Sequence, residues 1–286
     1  MLYLDYYGLK EKPFQETADP KFLWLGERHL QIYGAIKDRI IKNQGLTLLT
    51  GEVGTGKTVF LNCLAGSMKP QVLVSRINNP DLDIPDFLSS LSDSVKQGAS
   101  YEDKVTFLSQ LILAGSNKKM ILILVDEAHL LTESLLYELS LLLKIKKNDA
   151  RMVNIILTGQ EKLNRSLNET DLAEILQVSV LKCQLPALTQ EETKLYTRHR
   201  LAIAGATSNL FTVNALEKIH LFSGGIPRVI SSISDHALLT GYSNNLKIIN
   251  SAVIQDCTRD FYFLNSDSGF KDDRIPVIAP PKPSPP

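Results

Sequence analysis

Residues 46–50 read Leu46-Thr47-Leu48-Leu49-Thr50. They run into Gly51-Glu52-Val53-Gly54-Thr55-Gly56-Lys57-Thr58, whose last residue opens an expected helix, Thr58-Val59-Phe60-Leu61-Asn62-Cys63-Leu64. A β-type apolar run, a loop filling the pattern G-x-x-x-x-G-K-[ST] and a helix-forming segment follow one another. In that strand–loop–helix setting the pattern reads as a phosphate-binding loop. Its glycines let the backbone wrap closely around phosphate oxygens, and the first amides of the helix supply an anion site. Lys57 is placed for the β- and γ-phosphates and the Thr58 hydroxyl for Mg²⁺. Residues 51–58 are therefore the expected ATP site, with ATP and Mg²⁺ as its ligands. A chance glycine-rich turn would need neither the strand before it nor the helix after it.

Working outward, 286 residues suit one large domain or a core with a smaller lid. Hydrophobic residues make up 44% of the chain, enough for a sizeable core, which excludes global disorder. Lys plus Arg and Asp plus Glu number 31 each, so the formal charge is zero. A chain built to coat nucleic acid is usually basic; neutrality leaves room only for a local patch. Cys63, Cys183 and Cys257 lie far apart and suggest neither a disulfide framework nor a zinc site. They fit a reducing cytoplasm. Asp5, Lys10 and Glu11 break any signal-peptide pattern, and no apolar run reaches the ~18–20 residues of a membrane span. The expected localisation is cytoplasmic, with peripheral association at the inner membrane left open.

The pattern along the chain predicts an α/β core with a doubly wound parallel sheet and an all-helical lid. Residues 1–44 read as a lead-in rich in Tyr, Phe, Pro and Gly plus an amphipathic helix over 27–43. That helix has Leu30, Tyr33, Ile36, Ile40 and Ile41 at helical spacing, and the whole segment is expected to pack on the core. The core, 45–186, carries further strands at 72–77, 120–125, 152–158 and near 178–184. Helices are expected at 84–96, 102–114 and 133–146. The run Met120-Ile121-Leu122-Ile123-Leu124-Val125 suits a central parallel strand buried on both faces. Strand–helix alternation of this kind argues for the doubly wound class. Residues 187–262 read as four helices, at 190–204, 212–222, 227–241 and 250–262. Residues 263–286 close in a Pro-rich stretch that is expected to be disordered or extended.

The second half of a nucleotide site follows the buried strand. Asp126 is positioned to hold Mg²⁺ and Glu127 to polarise the attacking water as general base. The plainer alternative is an acidic cap on the next helix. Asp126-Glu127-Ala128-His129 also spells the DEAH of helicases, but no other helicase motif accompanies it. His129 reads as a helix-start surface residue or a link to the next strand. Thr158 and Gln160, at the end of that next strand, are candidate γ-phosphate sensors; a simple Thr-Gly-Gln turn is the alternative. In the lid, Gly224-Gly225-Ile226-Pro227-Arg228 opens a helix with an arginine, whose permanent charge and forked donors suit a γ-phosphate.

Together these residues resemble the AAA+ superfamily. More closely, the chain is similar to the general secretion pathway protein A (ExeA-type) ATPases, including the MSHA-pilus and exopolysaccharide-locus ATPases. The resemblance covers nearly the whole chain before its Pro-rich end. It includes Tyr3-Leu4-Asp5-Tyr6-Tyr7-Gly8-Leu9, Lys12-Pro13-Phe14 and Asp19-Pro20-Lys21-Phe22-Leu23 ahead of the phosphate loop. In the lid it includes Glu192-Thr193, Tyr196, His199-Arg200-Leu201, Ala204-Gly205 and the Gly-Gly-Ile-Pro-Arg run. The resemblance implies an ATPase that forms rings or nucleotide-dependent multimers and works with envelope or secretion machinery. Longer members continue through a Pro-rich segment into a membrane anchor and a peptidoglycan-binding module. A short soluble member and the cytoplasmic piece of a longer protein both fit this sequence.

One departure bears on turnover. Family members usually carry Arg directly after the position of Gln177, a candidate finger for a neighbouring subunit's nucleotide; here the residue is Val178. A second basic position is Lys182. Arg165 is a substitute finger or simply part of a solvated helix face. The resemblance therefore implies slow hydrolysis by the chain alone, or a low-turnover ATP-sensing switch. A further alternative is a DNA-binding regulator like the transposition ATPases MuB and TniB. In that case Lys144, Lys146, Lys147 and Arg151 would meet phosphates; otherwise they form an exposed helix end.

Overall fold

A computed structural model describes residues 2–17, 19–68, 72–77, 120–144, 146–147, 150–163 and 179–267. The expected helices at 84–96 and 102–114, together with Arg165, Gln177, Val178 and residues 268–286, lie outside them. The chain divides into two compact units. One comprises 27–51 and 60–185; the other comprises 1–26, 52–59 and everything from 186 onward.

The first unit is built on a sheet of β1 (Leu46–Thr50), β2 (Val72–Ile77), β3 (Met120–Val125), β6 (Val153–Gly159) and β7 (Val180–Gln184). A hairpin of β4 (Lys146–Lys147) and β5 (Ala150–Arg151) precedes β6. The sheet order is β2-β3-β6-β1-β7, and every pairing is parallel. β1 and β6 are buried along their whole length, and β3 over its last four residues. Their near-continuous apolar sequences suit strands covered on both faces. Asn154 is, with Thr158, one of two polar side chains buried inside β6. It accepts from Gly45 N at 3.1 Å and donates to Asn43 Oδ1 at 2.8 Å. Those bonds pin the turn between α2 (Glu27–Ile41) and β1, where Asn43 and Gly45 take positive φ.

Helix α2 stands where the sequence placed it, but its buried face differs. Ile36 and Ile40 are buried, whereas Leu30 and Ile41 are exposed. His29 and Arg39 take the vacated places. Arg39 is buried because its guanidinium serves backbone carbonyls: Leu46 O at 3.1 Å, Gln44 O at 3.1 Å and Ser179 O. A fork of donors satisfying carbonyls beside β1 and β7 offsets the cost of burying the charge. Periodicity counts apolar residues and therefore misses a helix face of this kind.

The second unit contains α1 (Leu2–Tyr7), a 3₁₀ turn at Pro20–Phe22 and the helices α5 (Gln190–Ile203), α6 (Val213–Ser223), α7 (Pro227–Ser243) and α8 (Ser251–Asp267). The intervening helices α3 (Lys57–Met68) and α4 (Glu133–Leu143) flank sheet strands in the sequence. Helix starts follow capping chemistry. Thr189 and Glu192 form a reciprocal capping box on α5, Thr212 caps α6 and Asn250 caps α8. Helix α8 runs to Asp267, five residues past the expected boundary at 262.

The lead-in departs from expectation. Tyr3, Leu4, Tyr7, Leu9 and Phe14 share one hydrophobic cluster with Leu201, Leu216, Ile230, Leu238 and Ile254 of the helical lid. Residues up to 26 therefore pack with the lid, and only the helix from Glu27 belongs to the sheet unit. The reason lies in the tyrosines. Tyr3 Oη donates to Asp235 Oδ1 at 3.1 Å and Tyr7 Oη to Leu246 O at 2.9 Å, both on lid elements. Burial pushes the Tyr7 phenol up to about 12.

Candidate active site

In the helical unit, the loop 52–59 carries the phosphate-binding pattern. Gly54 and Gly56 sit at φ 85° and 92°, a region costly for residues with a Cβ. Thr55 N and Thr55 Oγ1 both donate to Glu52 O, at 3.3 and 2.9 Å, closing the loop on itself. α3 begins at Lys57, one residue earlier than the sequence suggested. The Lys57 side chain is 7% exposed, and its Nζ donates to Glu52 O at 3.0 Å. The ammonium is thus tucked inside the loop's own turn, and the first amides of α3 follow directly in the chain. Thr58 is exposed.

The same unit brings Arg228 to this loop. Pro227 occupies the first turn of α7, a position where its missing N–H costs nothing. Arg228 N donates to Gly54 O at 3.2 Å. A Cβ on Gly54 would stand 2.8 Å from Arg228 Cβ and 3.0 Å from Ile226 Cγ2. Upstream, Gly225 presses its backbone on Leu188, whose N–H it receives at 2.8 Å; a Cβ there would stand 2.0 Å from Leu188 O. The Gly-Gly-Ile-Pro-Arg run is therefore a backbone joint as well as an arginine carrier. The Arg228 guanidinium pairs with Glu16, Nε to Oε1 at 3.0 Å. Sequence reading did not single out Glu16. No periodicity or spacing marks a lone acid whose partner is distant in sequence.

In the sheet unit, Asp126 directly follows β3. Its Oδ1 accepts from Thr158 Oγ1 at 2.6 Å and from Glu127 N at 3.0 Å. Thr158 is fully buried in β6, the strand beside β3. The two candidates thus meet directly. Gln160 follows the strand, and its carbonyl receives Leu163 N at 2.9 Å. Glu127 adopts a left-handed conformation, φ 50° and ψ 37°. It does not cap a helix by its side chain; α4 is capped by Thr132, which accepts from Leu135 N. Glu127 instead faces His129, with Oε2 3.2 Å from Nδ1. The His129 side chain is only 8% exposed. That corrects the surface-residue alternative and keeps the link to the next strand, since Gly159 lies against the ring.

No group of three or more His, Cys, Asp or Glu gathers at metal-binding distance among the described residues. Mg²⁺ needs none. It is held through one or two protein oxygens, with phosphate and water completing the shell. The Thr58 hydroxyl and the Asp126 carboxylate are hard oxygen donors of the required kind. The three cysteines are free, and burial raises the Cys183 thiol above its usual range, which argues against a reactive thiolate. The basic group divides. Lys144 is the C-cap of α4, whereas Lys146 and Arg151 sit opposite each other in the β4–β5 hairpin. Arg151 also donates to Gln44 O at 3.4 Å. An exposed helix end therefore describes only Lys144.

Comparison with known proteins agrees with this arrangement. A family model described as an AAA domain matches residues 39–167. The general secretion pathway protein A of Aeromonas hydrophila is 32% identical over 249 residues, which cover 85% of this chain. The chain is an AAA+ protein of the general secretion pathway protein A type. It spans 45% of the length of that relative. Among solved structures, Cdc6p from Pyrobaculum aerophilum superposes with a TM-score of 0.64 at 19% identity, covering 85% of this chain and 70% of that one. The ORC2 protein of Aeropyrum pernix gives 0.65 at 17% identity, covering 88% and 72%. At such identities the likeness establishes the fold alone: a parallel-sheet AAA+ core followed by a helical lid.

Within this AAA+ chain, the motifs that carried the family resemblance prove to be largely scaffold. Arg200 donates from Nε to Pro13 O at 2.6 Å and from Nη2 to Gln15 O at 2.7 Å. Its guanidinium also stacks 4.5 Å from the Phe22 ring. The Lys-Pro-Phe block and the His-Arg-Leu block are two sides of one joint. Gly26 lies close to Glu192, which is already engaged in the α5 capping box. Among the described residues, no helix is long and apolar enough to cross a membrane.

Proposed function

We propose that this chain binds ATP with Mg²⁺, hydrolyses it slowly when alone, and works as a nucleotide-driven multimer in assembly of a bacterial secretion, pilus or envelope system. The observation that carries the reading is the loop 51–58. Gly54 and Gly56 take positive φ, the loop closes on Glu52 O, and it opens α3 with Lys57 as the first helical residue. Backbone amides of 54–58 cradle the phosphates, and Lys57 supplies the compensating charge. Thr58 and Asp126 are the oxygen donors for Mg²⁺, which when bound screens the phosphate charge during transfer. Thr158 orients Asp126. Glu127 accepts the proton of the attacking water. Gln160 reads the γ-phosphate from the end of β6. Arg228 reads it from the first turn of α7, once its guanidinium is released from Glu16.

The link to secretion or envelope assembly is supported by the relative named for that pathway. The cytoplasm, with peripheral contact at the inner membrane, is the location that suits an ATP-driven component. The DNA-regulator alternative draws less support. The solved structures that include DNA-bound relatives are similar in fold alone, and Arg151 is already occupied by Gln44.

The deciding experiment is Lys57→Ala with ATP affinity read by calorimetry. Loss of binding by a variant that keeps its thermal midpoint is expected, because Lys57 is the cation built into the loop. Unchanged affinity in the folded variant would remove the ATP assignment.

A further inference from the structure

Glu127 is an unusual place to keep a catalytic carboxylate. Its backbone sits in the left-handed region at φ 50°, where residues other than Gly, Asn and Asp are uncommon. Such strain persists only when neighbouring structure holds it. The next residues show what holds it. Ala128 is buried in the hydrophobic cluster that also contains Leu135, Leu157 and Leu163. Leu130 N returns to Glu127 O at 3.0 Å and Leu131 N to Ala128 O at 3.2 Å, forming a tight 3₁₀ turn. That turn directs the Glu127 side chain outward, where it is 50% exposed. A half-exposed carboxylate with three rotatable bonds has no fixed direction of its own.

The His129 ring supplies one. It is drawn into the protein, 8% exposed, and its Nδ1 stands 3.2 Å from Glu127 Oε2. The two atoms stand at ion-pair distance without hydrogen-bond geometry between them, so it is the ring carrying a proton on both nitrogens that attracts the carboxylate. Gly159 leaves the ring its place: a Cβ there would come within 3.4 Å of both His129 N and His129 Nδ1. The end of β6 thus borders both catalytic carboxylates. It touches Asp126 through the Thr158 hydroxyl and Glu127 through the ring packed beside Gly159.

We infer that His129 is a positioning residue, whose imidazole fixes the Glu127 carboxylate in the orientation from which it takes the proton of the attacking water. The inference rests on the ATPase reading and goes beyond it. The helix-start position of His129 is, on this view, a consequence of its service to Glu127.

The test compares steady-state ATP turnover of the purified chain with His129→Leu, His129→Asn, Glu127→Gln and the double variant. His129→Leu should lower kcat at least ~10-fold, a part of the ~10²–10⁴ that a general base supplies. ATP affinity and KM should stay within roughly twofold, since no phosphate contact is touched. His129→Asn, whose amide can place a donor near the position of Nδ1, should recover most of the rate. In the double variant, His129→Leu should cost nothing further, because it acts only through Glu127. If His129→Leu fails to fold, the pair His129→Asn and His129→Gln decides. Asn should be active, and Gln, with its amide one carbon further out, slow. Unchanged kcat in His129→Leu beside a crippled Glu127→Gln would overturn the inference and leave the ATPase reading standing. So would a second, additive loss in the double variant. Unchanged turnover in Glu127→Gln, or none in the unaltered chain, would overturn the assignment of the base itself.

Discussion

Thr158 Oγ1 lies 2.6 Å from Asp126 Oδ1, so a residue buried in one strand holds the carboxylate that follows its neighbour. The hydroxyl carries one hydrogen. Asp126 is its nearer acceptor, with Val125 O farther away at 3.3 Å. Donation to a charged oxygen contributes about 1.5–3 kcal/mol, against about 0.5–1.5 for a neutral bond. It also fixes which lone pairs of Asp126 remain for Mg²⁺ and its waters.

Replacing this hydroxyl should separate binding from turnover. Thr158→Val keeps the volume and removes the donor. ATP affinity should change little, while kcat falls roughly 10- to 100-fold and stability falls by about 1–3 kcal/mol. Calorimetry, steady-state kinetics and denaturant unfolding report the three quantities. Wild-type turnover from the valine variant would reduce Thr158 to a buried strand residue with no part in the chemistry.

Gly54 joins the phosphate loop to the first turn of α7 through its own carbonyl. Gly54→Ala should therefore suffer twice, from the φ of 85° and from collision with Arg228 and Ile226. Gly8, at φ 68° with nothing within 4 Å of a built Cβ, isolates the first effect. The expectation is a loss of ~1–3 kcal/mol for Gly8→Ala and a clearly larger one for Gly54→Ala, along with loss of ATP binding. Equal shifts in thermal midpoint would show that the crowding at Arg228 relaxes without cost.

The strands were legible because a parallel sheet buried on both faces writes itself as apolar runs, as in Met120-Ile121-Leu122-Ile123-Leu124-Val125. The loop 51–58 was legible because phosphate binding fixes residue types at fixed spacing. The lid helices were legible as stretches at 190–204, 212–222, 227–241 and 250–262, the third opened by Pro227; the caps Thr189 and Thr212 emerge only from the structure. What escaped reading depends on partners distant in sequence. Arg39 looks like a surface residue until its carbonyl acceptors are seen. Glu16 has no local signature, and the packing of Tyr3 and Tyr7 on lid elements follows from no pattern within residues 1–26. The β4–β5 hairpin is too short for alternation to show.

His220 gives the lid a pH dependence with a definite sign. Burial lowers the pKa of its imidazole, and Thr193 Oγ1 lies 3.0 Å from Nδ1. Thr193 already donates its hydrogen to Thr189 O, so the ring supplies the proton between them. The unfolded chain keeps the ordinary histidine value of about 6.5. Below that pH the unfolded state binds more protons than the folded one. The contribution is therefore complete above ~6.5 and is lost as pH falls through the lowered folded value. The thermal midpoint should drop more between about pH 7.5 and pH 5 in the unaltered chain than in His220→Asn. Equal slopes would assign the acid sensitivity elsewhere.

The last expectation concerns a residue outside the described ones and is argued from the sequence. Similar ATPases carry arginine where this chain has Val178. Valine cannot donate to phosphate, while the loop, the acidic pair and Arg228 are all in place. The unaltered chain should therefore bind ATP well and turn it over slowly. Val178→Arg should raise kcat, since an arginine finger is worth about 10³–10⁵ where it acts and even partial restoration is measurable. The gain must grow with protein concentration, because a finger serves the nucleotide of a neighbouring subunit. Steady-state rates of both proteins across a dilution series test the two statements together. A gain that is independent of concentration would place the new guanidinium on its own nucleotide. A fast unaltered chain, with Val178→Arg neutral at every dilution, would show that Arg165 or another cation already fills the role and that the valine carries no mechanism.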